Sequence, residues 1–303
     1  MIEARGLTKV YGEKKAVDDL SFSVRPGIVT GFLGPNGSGK STTMRLILGL
    51  DRPTAGSVTV NGTSYRRHAA PLHEVGALRE ARSVHTGRSA FNHLLALAQT
   101  QGIPRRRVDE LIDLVGLHDV ARKRAGQFSL GMGQRLGIAA ALLGDPQTVM
   151  LDEPVNGLDP EGIHWIRNLL RGLAGEGRTV FVSSHLMSEM SLTADHLIVI
   201  GRGRLIADVG VREFVGRASK RLVRVRTPQA TRLAEQLTGH DVTVVPQGDG
   251  SLEVAGLTAE QVGEAAAAAG IVLHELTPHE ASLEEAFMEL TRDELEFASE
   301  AAV

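Results

Sequence analysis

The sequence predicts an α/β protein with a mostly parallel sheet core, an inserted helical subdomain and a small α+β domain at the C-terminus. Up to Gly216, short β-branched runs alternate with longer segments of helical period, which is typical of parallel strands joined by crossover helices. After Gly216 the order is strand, helix, two strands, helix and strand, which suits a ferredoxin-like unit. We therefore expect one domain over residues 1–217 and a second over residues 218–303.

The elements of the first domain follow from the period of their apolar residues. The predicted strands are 28–33, 57–60, 148–151, 179–184 and 196–200, and the predicted helices are 41–50, 89–101, 105–115, 132–143 and 161–173. Several of the strands are continuously apolar, as strands buried on both faces are. Because residues 79–144 are nearly all helical, they are expected to form a subdomain inserted between two strands.

The second domain has its own set of predicted elements. Its strands are 221–227, 241–246, 251–256 and 271–277, and its helices are 228–239, 258–270 and 282–297. It shows no cluster of candidate catalytic groups, so dimer contact or regulation is expected of it rather than catalysis.

Composition narrows the classes of function. The chain has 303 residues and a formal net charge of -3, which argues against nucleic acid as the main partner. It has no cysteine, so a disulfide framework and a thiolate metal site are excluded, and a reducing cytosol is the simplest setting. No apolar run approaches the roughly 20 residues of a membrane span, and the N-terminus lacks the apolar block of a signal peptide. If the protein serves a membrane process, another chain supplies the membrane-spanning part.

A glycine-rich loop between a predicted strand and a predicted helix carries a phosphate-binding signature. The stretch "GPNGSGKST" matches G-x-x-x-x-G-K-[ST], whose glycines let backbone N–H groups surround phosphate oxygens. Lys40 is expected to reach the β- and γ-phosphates, and Ser41 to offer its hydroxyl to Mg²⁺. The flanking strand and helix argue against a glycine-rich turn with a chance lysine. The candidate nucleotide-binding residues are Gly34, Pro35, Asn36, Gly37, Ser38, Gly39, Lys40, Ser41 and Thr42.

Two carboxylates follow a later strand and suit the metal and the attacking water. In "TVMLDEP" the apolar strand ends in Asp152, a candidate metal ligand, and Glu153 follows at once as a candidate general base. On their own they could equally be two solvated acids at a strand end. His185, after "TVFVSS", is a candidate contact of the γ-phosphate, although a lone histidine after a strand more often has no such role.

The stretch "FSLGMGQR" predicts a second helix that begins at a serine with glycine close behind. The first backbone N–H groups of a helix have no acceptor within the helix, and its dipole favours an anion there. The simpler interpretation is an ordinary serine N-cap on a core helix.

In order along the chain, "GPNGSGKST", "FSLGMGQR", "VMLDEP", "NGLD" and "SSHL" resemble the ATP-binding subunits of ABC transporters, over about residues 1–217. The resemblance implies a P-loop ABC ATPase cassette in which two subunits enclose two ATP molecules head to tail. Ser129 and Gly131 would then contact the γ-phosphate bound by the partner's loop, and Asp159 of "NGLD" would also belong to the nucleotide site. Tyr11 matches the aromatic residue that stacks on adenine; the alternative is a strand-end tyrosine in the core.

The sequence departs from the family pattern at several positions. Leu130 replaces the first glycine of the usual L-S-G-G-Q motif, and Met132 replaces its glutamine. Glu80 stands where glutamine normally touches the metal and the attacking water. A carboxylate can still bind Mg²⁺, so the candidate metal ligands are Ser41, Asp152 and Glu80.

Four stretches, "VGALRE", "SLGMGQRLGIAAALL", "EPVNGLDPEGI" and "SLEEAFMELT", resemble the ATPase subunits of bacterial drug, antibiotic or lipid exporters. That resemblance implies a separate transmembrane permease subunit contacted by residues 79–98, a homodimer or heterodimer of ATP-binding subunits, and a cytoplasmic location on the inner face of the cell membrane. ATP and Mg²⁺ are the expected cofactors, and no nucleic acid partner is expected. The alternative is a soluble mechanochemical ABC ATPase acting on ribosomes or DNA, although such proteins usually carry two cassettes or a long coiled coil. A nucleotide kinase or GTPase also has a P-loop, but it does not need a second helix whose N-terminus binds phosphate, so the stretch "FSLGMGQR" argues against this class.

Overall fold

The protein is described from a computed structural model that places residues 1–79, 84–218, 222–237, 239, 242–279, 282–289 and 291. It divides into two compact units, Met1–Val211 and a second unit that begins at Arg212.

The first unit contains two sheets. Its strands are β1 (Ile2–Tyr11), β2 (Lys14–Val24), β3 (Val29–Leu33), β4 (Ala55–Val60), β5 (Val75–Leu78), β6 (Thr148–Asp152), β7 (Thr179–Ser183), β8 (His196–Gly201) and β9 (Arg204–Gly210). The larger sheet has the order β5-β6-β7-β3-β8-β9, parallel except for β9, and the smaller sheet is antiparallel with the order β2-β1-β4.

The helices of this unit connect the parallel strands. They are α1 (Lys40–Ile47), α2 (Pro71–Glu74), α3 (Ala90–Thr100), α4 (Arg105–Leu114), α5 (Leu130–Ala141), α6 (Pro160–Gly175) and α7 (Met187–Thr193), and α8 (Val211–Ala218) crosses into the second unit. Helices α3, α4 and α5 pack on one another and lie in sequence between β5 and β6, as predicted for the inserted helical segment.

An aromatic cluster joins the two sheets beneath the glycine-rich loop. Phe32 of β3 and Phe181 of β7 have ring centroids 5.0 Å apart, and Phe22 of β2 lies 5.9 Å from each of them. All three side chains are buried, together with apolar residues of α1. Burial of this kind is the main stabilising contribution to a core, so the strand that carries the loop has a rigid support.

The smaller sheet was not predicted in full, because bulges interrupt the alternation of its strands. Gly6 in β1 and Asp19 in β2 have positive φ angles of 56° and 51°, and the pairing of the two strands shifts register between Ala4 and Leu7. A bulge breaks the period of two from which a strand is recognised. The run 57–60, predicted as a strand, pairs in this antiparallel sheet as part of β4.

The second unit is a four-stranded antiparallel sheet with helices. Its elements are β10 (Leu222–Arg226), α9 (Ala230–Leu237), β11 (Thr243–Pro246), β12 (Ser251–Ala255), α10 (Ala259–Ala268), β13 (Glu275–His279) and α11 (283–289). The strand order is β11-β12-β10-β13. Strand β13 begins later than the predicted residue 271. Ile271 is buried, and its amide donates to the carbonyl of Ala266 in α10, so this residue belongs to the turn that follows the helix.

Substitution of Gly76 by alanine is expected to destabilise the first unit. A Cβ atom on Gly76 of β5 would lie 1.9 Å from the carbonyl oxygen of Ala141 in α5, a backbone atom that cannot turn away. Overpacking of this kind costs about 1–3 kcal/mol of unfolding free energy. Gly172→Ala is the matched control: Gly172 is an exposed position of α6 and nothing lies within 4 Å of a Cβ atom added there, so we expect stabilisation of up to about 1 kcal/mol. Urea unfolding of both variants measures the difference, and equal stabilities would contradict the close approach of α5 to β5.

Candidate active site

The parallel sheet brings the predicted site residues to one of its edges. Strand β3 leads into the glycine-rich loop, β6 ends at Asp152, and β7 leads to His185. The register pairs Phe32 with Ser183 and Asp152 with the same Ser183 on its other side. The carboxyl ends of such strands form the usual ligand-binding edge of an α/β sheet, so separate parts of the chain meet here.

The glycine-rich loop contains two glycines at which any side chain would meet a backbone oxygen. A Cβ atom on Gly34 would lie 2.4 Å from the carbonyl oxygen of Ile200. Gly39 has φ 106°, and a Cβ atom there would lie 2.4 Å from the carbonyl oxygen of Ala16. The loop therefore folds tightly against its neighbours and presents its backbone at the start of α1.

Lys40 lies inside this loop with its charge close to backbone oxygens. Its Nζ donates to the carbonyl oxygens of Gly34 at 2.6 Å and Pro35 at 3.2 Å. Burial lowers the pKa of the Lys40 ammonium, and the carboxylates of Glu153 and Asp152 oppose that shift. The buried hydroxyl of Ser38 has no hydrogen-bond partner among the described residues. A phosphate in the loop would give both groups an anionic partner.

A cavity of about 850 Å³ opens over the loop. Such a volume suits a nucleotide-sized ligand, since small-molecule sites typically measure 300–1,000 Å³. The residues that line it are Tyr11, Lys14, Ala16, Asn36, Gly37, Gly39, Lys40, Ser41, Thr42, Arg79, Leu130, Gln134, Asp152, Glu153 and Asn156.

Asp152 is held between two serine hydroxyls at the floor of this cavity. The hydroxyl of Ser41 donates to Oδ2 at 3.3 Å, and the hydroxyl of Ser183 donates to Oδ1. Ser183 is fully buried, so it fixes the carboxylate from behind. The pair formed by Ser41 and Asp152 supplies hard oxygen donors of the kind that Mg²⁺ prefers.

Glu153 adopts an unusual backbone conformation that is held from three sides. Its φ is 51°, in the left-handed region that non-glycine residues rarely adopt. Its amide donates to both the carbonyl and the hydroxyl of Ser183, at 3.2 and 3.1 Å, and its carbonyl accepts from Nε2 of buried Gln134 at 3.0 Å. Its Oε2 lies 2.7 Å from Nδ1 of His185. A carboxylate oriented in this way is suited to accept a proton from a water molecule.

The first residues of α5 combine an ordinary cap with free backbone donors. The Ser129 hydroxyl accepts from the amide of Met132 at 3.2 Å, as expected of an N-cap. The amides of Leu130 and Gly131 have no acceptor among the described residues. A Cβ atom on Gly131 would lie 2.6 Å from the carbonyl oxygen of Gly157, so close packing within the chain already requires a glycine there.

Comparison with known proteins identifies the family. The family model for "ABC transporter" matches residues 17–156. The bacitracin transport ATP-binding protein BcrA of Bacillus licheniformis is 42% identical over 212 residues, which are 69% of each chain. The chain belongs to the ABC transporter ATP-binding proteins. Its predicted class, an ATPase subunit with an ABC cassette fold, is thereby confirmed.

Other relatives of this ABC ATPase extend the match in sequence and in structure. An uncharacterized ABC transporter ATP-binding protein of Bacillus subtilis (strain 168), YdbJ, is 33% identical over 296 residues, 96% of this chain and 95% of that one. A dimeric ATP-binding cassette solved in a post-hydrolysis state with ADP and Pi has a TM-score of 0.64 and 25% identity, covering 69% of this chain and 98% of that one. Residues 221–284 match a domain of unknown function (DUF8746).

The remaining sequence-predicted residues of this ABC ATPase fall in different places. Tyr11 lines the cavity and is 45% exposed, so it is not a core residue. Pro35 lies in the loop as a carbonyl acceptor for Lys40. Asp159 does not line the cavity; its carboxylate caps α6 by accepting from the amide of Gly162 at 2.9 Å. Glu80 lies outside the described residues.

Sequence reasoning missed two residues that support the carboxylates. Ser183 and Gln134 hold Asp152 and Glu153. They stand inside the stretches "SSHL" and "FSLGMGQR", but neither of them was assigned a role from the sequence. Ser183 could have been found from its position at the end of a strand parallel to the one that ends in Asp152. Gln134 carries a weaker signal: it is a buried polar residue in α5, most of whose residues are apolar or glycine.

Proposed function

We propose that this ABC ATPase powers an exporter whose membrane-spanning part is a separate polypeptide. Two relatives support this proposal. A lantibiotic transport ATP-binding protein of Streptococcus pyogenes supports a role in transport, and the Nod factor export ATP-binding protein I of Ralstonia nicotianae supports export. Within the part of the chain that the structure describes, no helix has the length and apolar character needed to cross a bilayer. The proposed location is the cytoplasmic face of the cell membrane, against a permease contacted by residues 79–98.

The observation that carries the catalytic part of the proposal is the convergence of four residues on one cavity. Lys40, Ser41, Asp152 and Glu153 all line it. The first two belong to the loop after β3, and the other two lie at the end of β6, which β7 separates from β3 in the sheet. The loop backbone and Lys40 would bind the phosphates of ATP, with Tyr11 against the adenine. Glu153 would take the proton of the attacking water.

Ser41 and Asp152 are the proposed ligands of Mg²⁺. Their oxygens already lie 3.3 Å apart, on the floor of the cavity beside Lys40. Bound there, Mg²⁺ would neutralise charge on the phosphates. Ser183 would keep the Asp152 carboxylate turned towards that position. The role of Glu80 in the same metal site remains a proposal from sequence.

His185 is proposed to orient Glu153 and to contact the γ-phosphate. Its backbone amide and its Nδ1 both lie within 3.3 Å of Glu153 Oε2, which leaves the other ring nitrogen for a phosphate oxygen. Two cassettes, identical or related, would pair head to tail. In that pairing the free amides at Leu130 and Gly131 and the hydroxyl of Ser129 would meet the γ-phosphate bound by the partner.

The two domains are proposed to divide near residues 217 and 218. The strand order of the second unit, with all neighbours antiparallel, supports a ferredoxin-like class for it. We assign it a role in dimer contact or regulation.

Recovery of a membrane partner tests the transport proposal. The tagged chain would be captured from detergent-solubilised native membranes, with the Lys40→Ala variant as a control for nucleotide dependence. We expect a stoichiometric protein with about six or more membrane spans. Recovery of ribosomal or DNA-repair proteins without a membrane partner would overturn the exporter proposal in favour of a soluble mechanical ATPase.

A further inference from the structure

Tyr11 is anchored by hydrogen bonds that begin on the helix behind the phosphate loop. Its hydroxyl donates to Oδ2 of Asp51 at 2.6 Å. Arg45 of α1 donates to the same carboxylate through two nitrogens, Nε to Oδ2 at 2.6 Å and Nη2 to Oδ1 at 2.9 Å. These three residues form one connected group, the Tyr11–Asp51–Arg45 chain.

The backbone holds Asp51 against the same helix. After α1 the chain turns at Gly49, whose φ is 62°. The amides of Leu50 and Asp51 then donate to the carbonyl oxygen of Arg45, at 2.9 and 3.4 Å. Asp51 is therefore tied to Arg45 through both its backbone and its side chain, so that it moves with α1. Paired arginine and carboxylate groups of this bidentate kind are geometrically specific.

One face of the Tyr11 ring is already occupied. The ammonium of Lys9 lies 4.8 Å from the ring centroid and also donates to the carbonyl oxygen of Arg52 at 2.7 Å. The ring nevertheless lines the cavity and is 45% exposed. A planar ligand in the cavity can therefore stack on the remaining face, while the hydroxyl and Lys9 keep the ring in one orientation.

The protonation states within the Tyr11–Asp51–Arg45 chain do not change around neutral pH. Hydrogen bonds from Arg45, and then from Tyr11, hold the pKa of Asp51 well below its usual range. The hydrogen bond to Asp51 raises the pKa of the Tyr11 phenol. The acceptor therefore stays ionised and the donor stays protonated at neutral pH, so the hydrogen bond between them is kept there.

We propose that Asp51 and Arg45 are positioning residues for ATP: they fix the Tyr11 ring relative to the phosphate loop, so that the base and the triphosphate of one nucleotide engage together. The proposal rests on the proposed role of Tyr11 as the adenine platform. Its physical basis is that α1 begins in the loop at Lys40 and carries Arg45 on its last turn. Pre-organising the ring avoids part of the cost of ordering it when ATP binds.

The test compares two ligands on the full chain by calorimetry with Mg²⁺ present: ATP, and inorganic tripolyphosphate, which has phosphates but no base. Tyr11→Ala is expected to weaken ATP binding about 10- to 100-fold, since stacking on an aromatic ring is worth 1–3 kcal/mol per base. Tyr11→Phe and Asp51→Ala should each weaken it about 3- to 10-fold, and the double variant no further, because both remove the same anchor. Asp249→Ala, which breaks an exposed pair with Arg224 in the second unit, is the matched control and should leave both affinities unchanged.

Tripolyphosphate separates a positioning role from a merely structural one. Its affinity should be the same in the wild type and in all Tyr11 and Asp51 variants. Parallel losses for both ligands would overturn the inference, because Asp51 would then support the loop or the fold. A loss confined to Tyr11→Ala, with Tyr11→Phe and Asp51→Ala unchanged, would also overturn it while leaving the proposed ATPase function intact. Failure of the wild type to bind either ligand would refute the proposed function itself.

Discussion

Replacement of Glu153 by glutamine is expected to slow ATP hydrolysis by about 10²–10⁴-fold, the usual contribution of a positioned general base, while ATP still binds. Glutamine keeps the size of the side chain and can still accept a hydrogen bond from His185 through its carbonyl oxygen. It cannot take a proton from water. The left-handed backbone and the contacts of the main chain with Ser183 and Gln134 do not depend on the carboxylate, so the site should keep its shape.

Steady-state phosphate release and equilibrium ATP binding measure the two halves of this prediction. Glu176→Gln is the matched control, because Glu176 is an exposed acid that pairs with Arg178 at 2.9 Å, and it should hydrolyse ATP at the wild-type rate. Turnover near the wild-type rate in Glu153→Gln would remove Glu153 from the role of base. Loss of ATP binding in that variant would instead make it a binding residue.

The parallel core of the fold could be predicted because its strands are buried on both faces. Runs such as 149–151 and 180–182 consist of three consecutive apolar residues and are separated by segments of helical period. The small antiparallel sheet escaped prediction because the bulges around Gly6 and Asp19 hide its alternation. Residues 271–273 show a limit at an element boundary: they are apolar as in a strand, but they follow α10, the amide of Ile271 donates to the carbonyl of Ala266, and β13 begins only at Glu275.

The motif residues of the site could be predicted because each motif has a chemical reason that is local in sequence. Glycines that surround phosphate, a lysine beside them and paired acids after a strand are each visible in fewer than ten residues of sequence. The support that orients these groups is not local. Ser183 reaches Asp152, and Asp51 reaches Tyr11, through pairings that exist only after the sheet and α1 have formed. The role of the helix start at Ser129 is less visible still, because its proposed partner lies on a second copy.

Replacement of Ser129 by arginine is expected to block pairing of two cassettes while leaving ATP binding by each one intact. The P-loop, Lys40 and Asp152 are unaffected by the change. A guanidinium on a long side chain would occupy the space in which the partner's nucleotide approaches the first amides of α5. The hydroxyl cap of the helix is also lost, at a cost of about 1 kcal/mol of stability. Since a pre-organised donor to developing charge is worth about 10²–10³-fold in rate, hydrolysis should fall at least that far.

The ATP-dependent dimer is best measured in a variant that does not hydrolyse ATP, because hydrolysis would separate the two cassettes. In the Glu153→Gln background, ATP is expected to shift the cassette to a dimer on gel filtration, and adding Ser129→Arg should abolish that shift. Ser89→Arg is the matched control, because Ser89 caps α3 with the same geometry, accepting from the amide of Asn92 at 3.2 Å. Both variants lose an N-cap, so equal losses of dimer would point to a general destabilisation. Loss in Ser129→Arg alone would assign the start of α5 to the interface, and an unchanged ATP-dependent dimer in that variant would leave Ser129 as an ordinary cap.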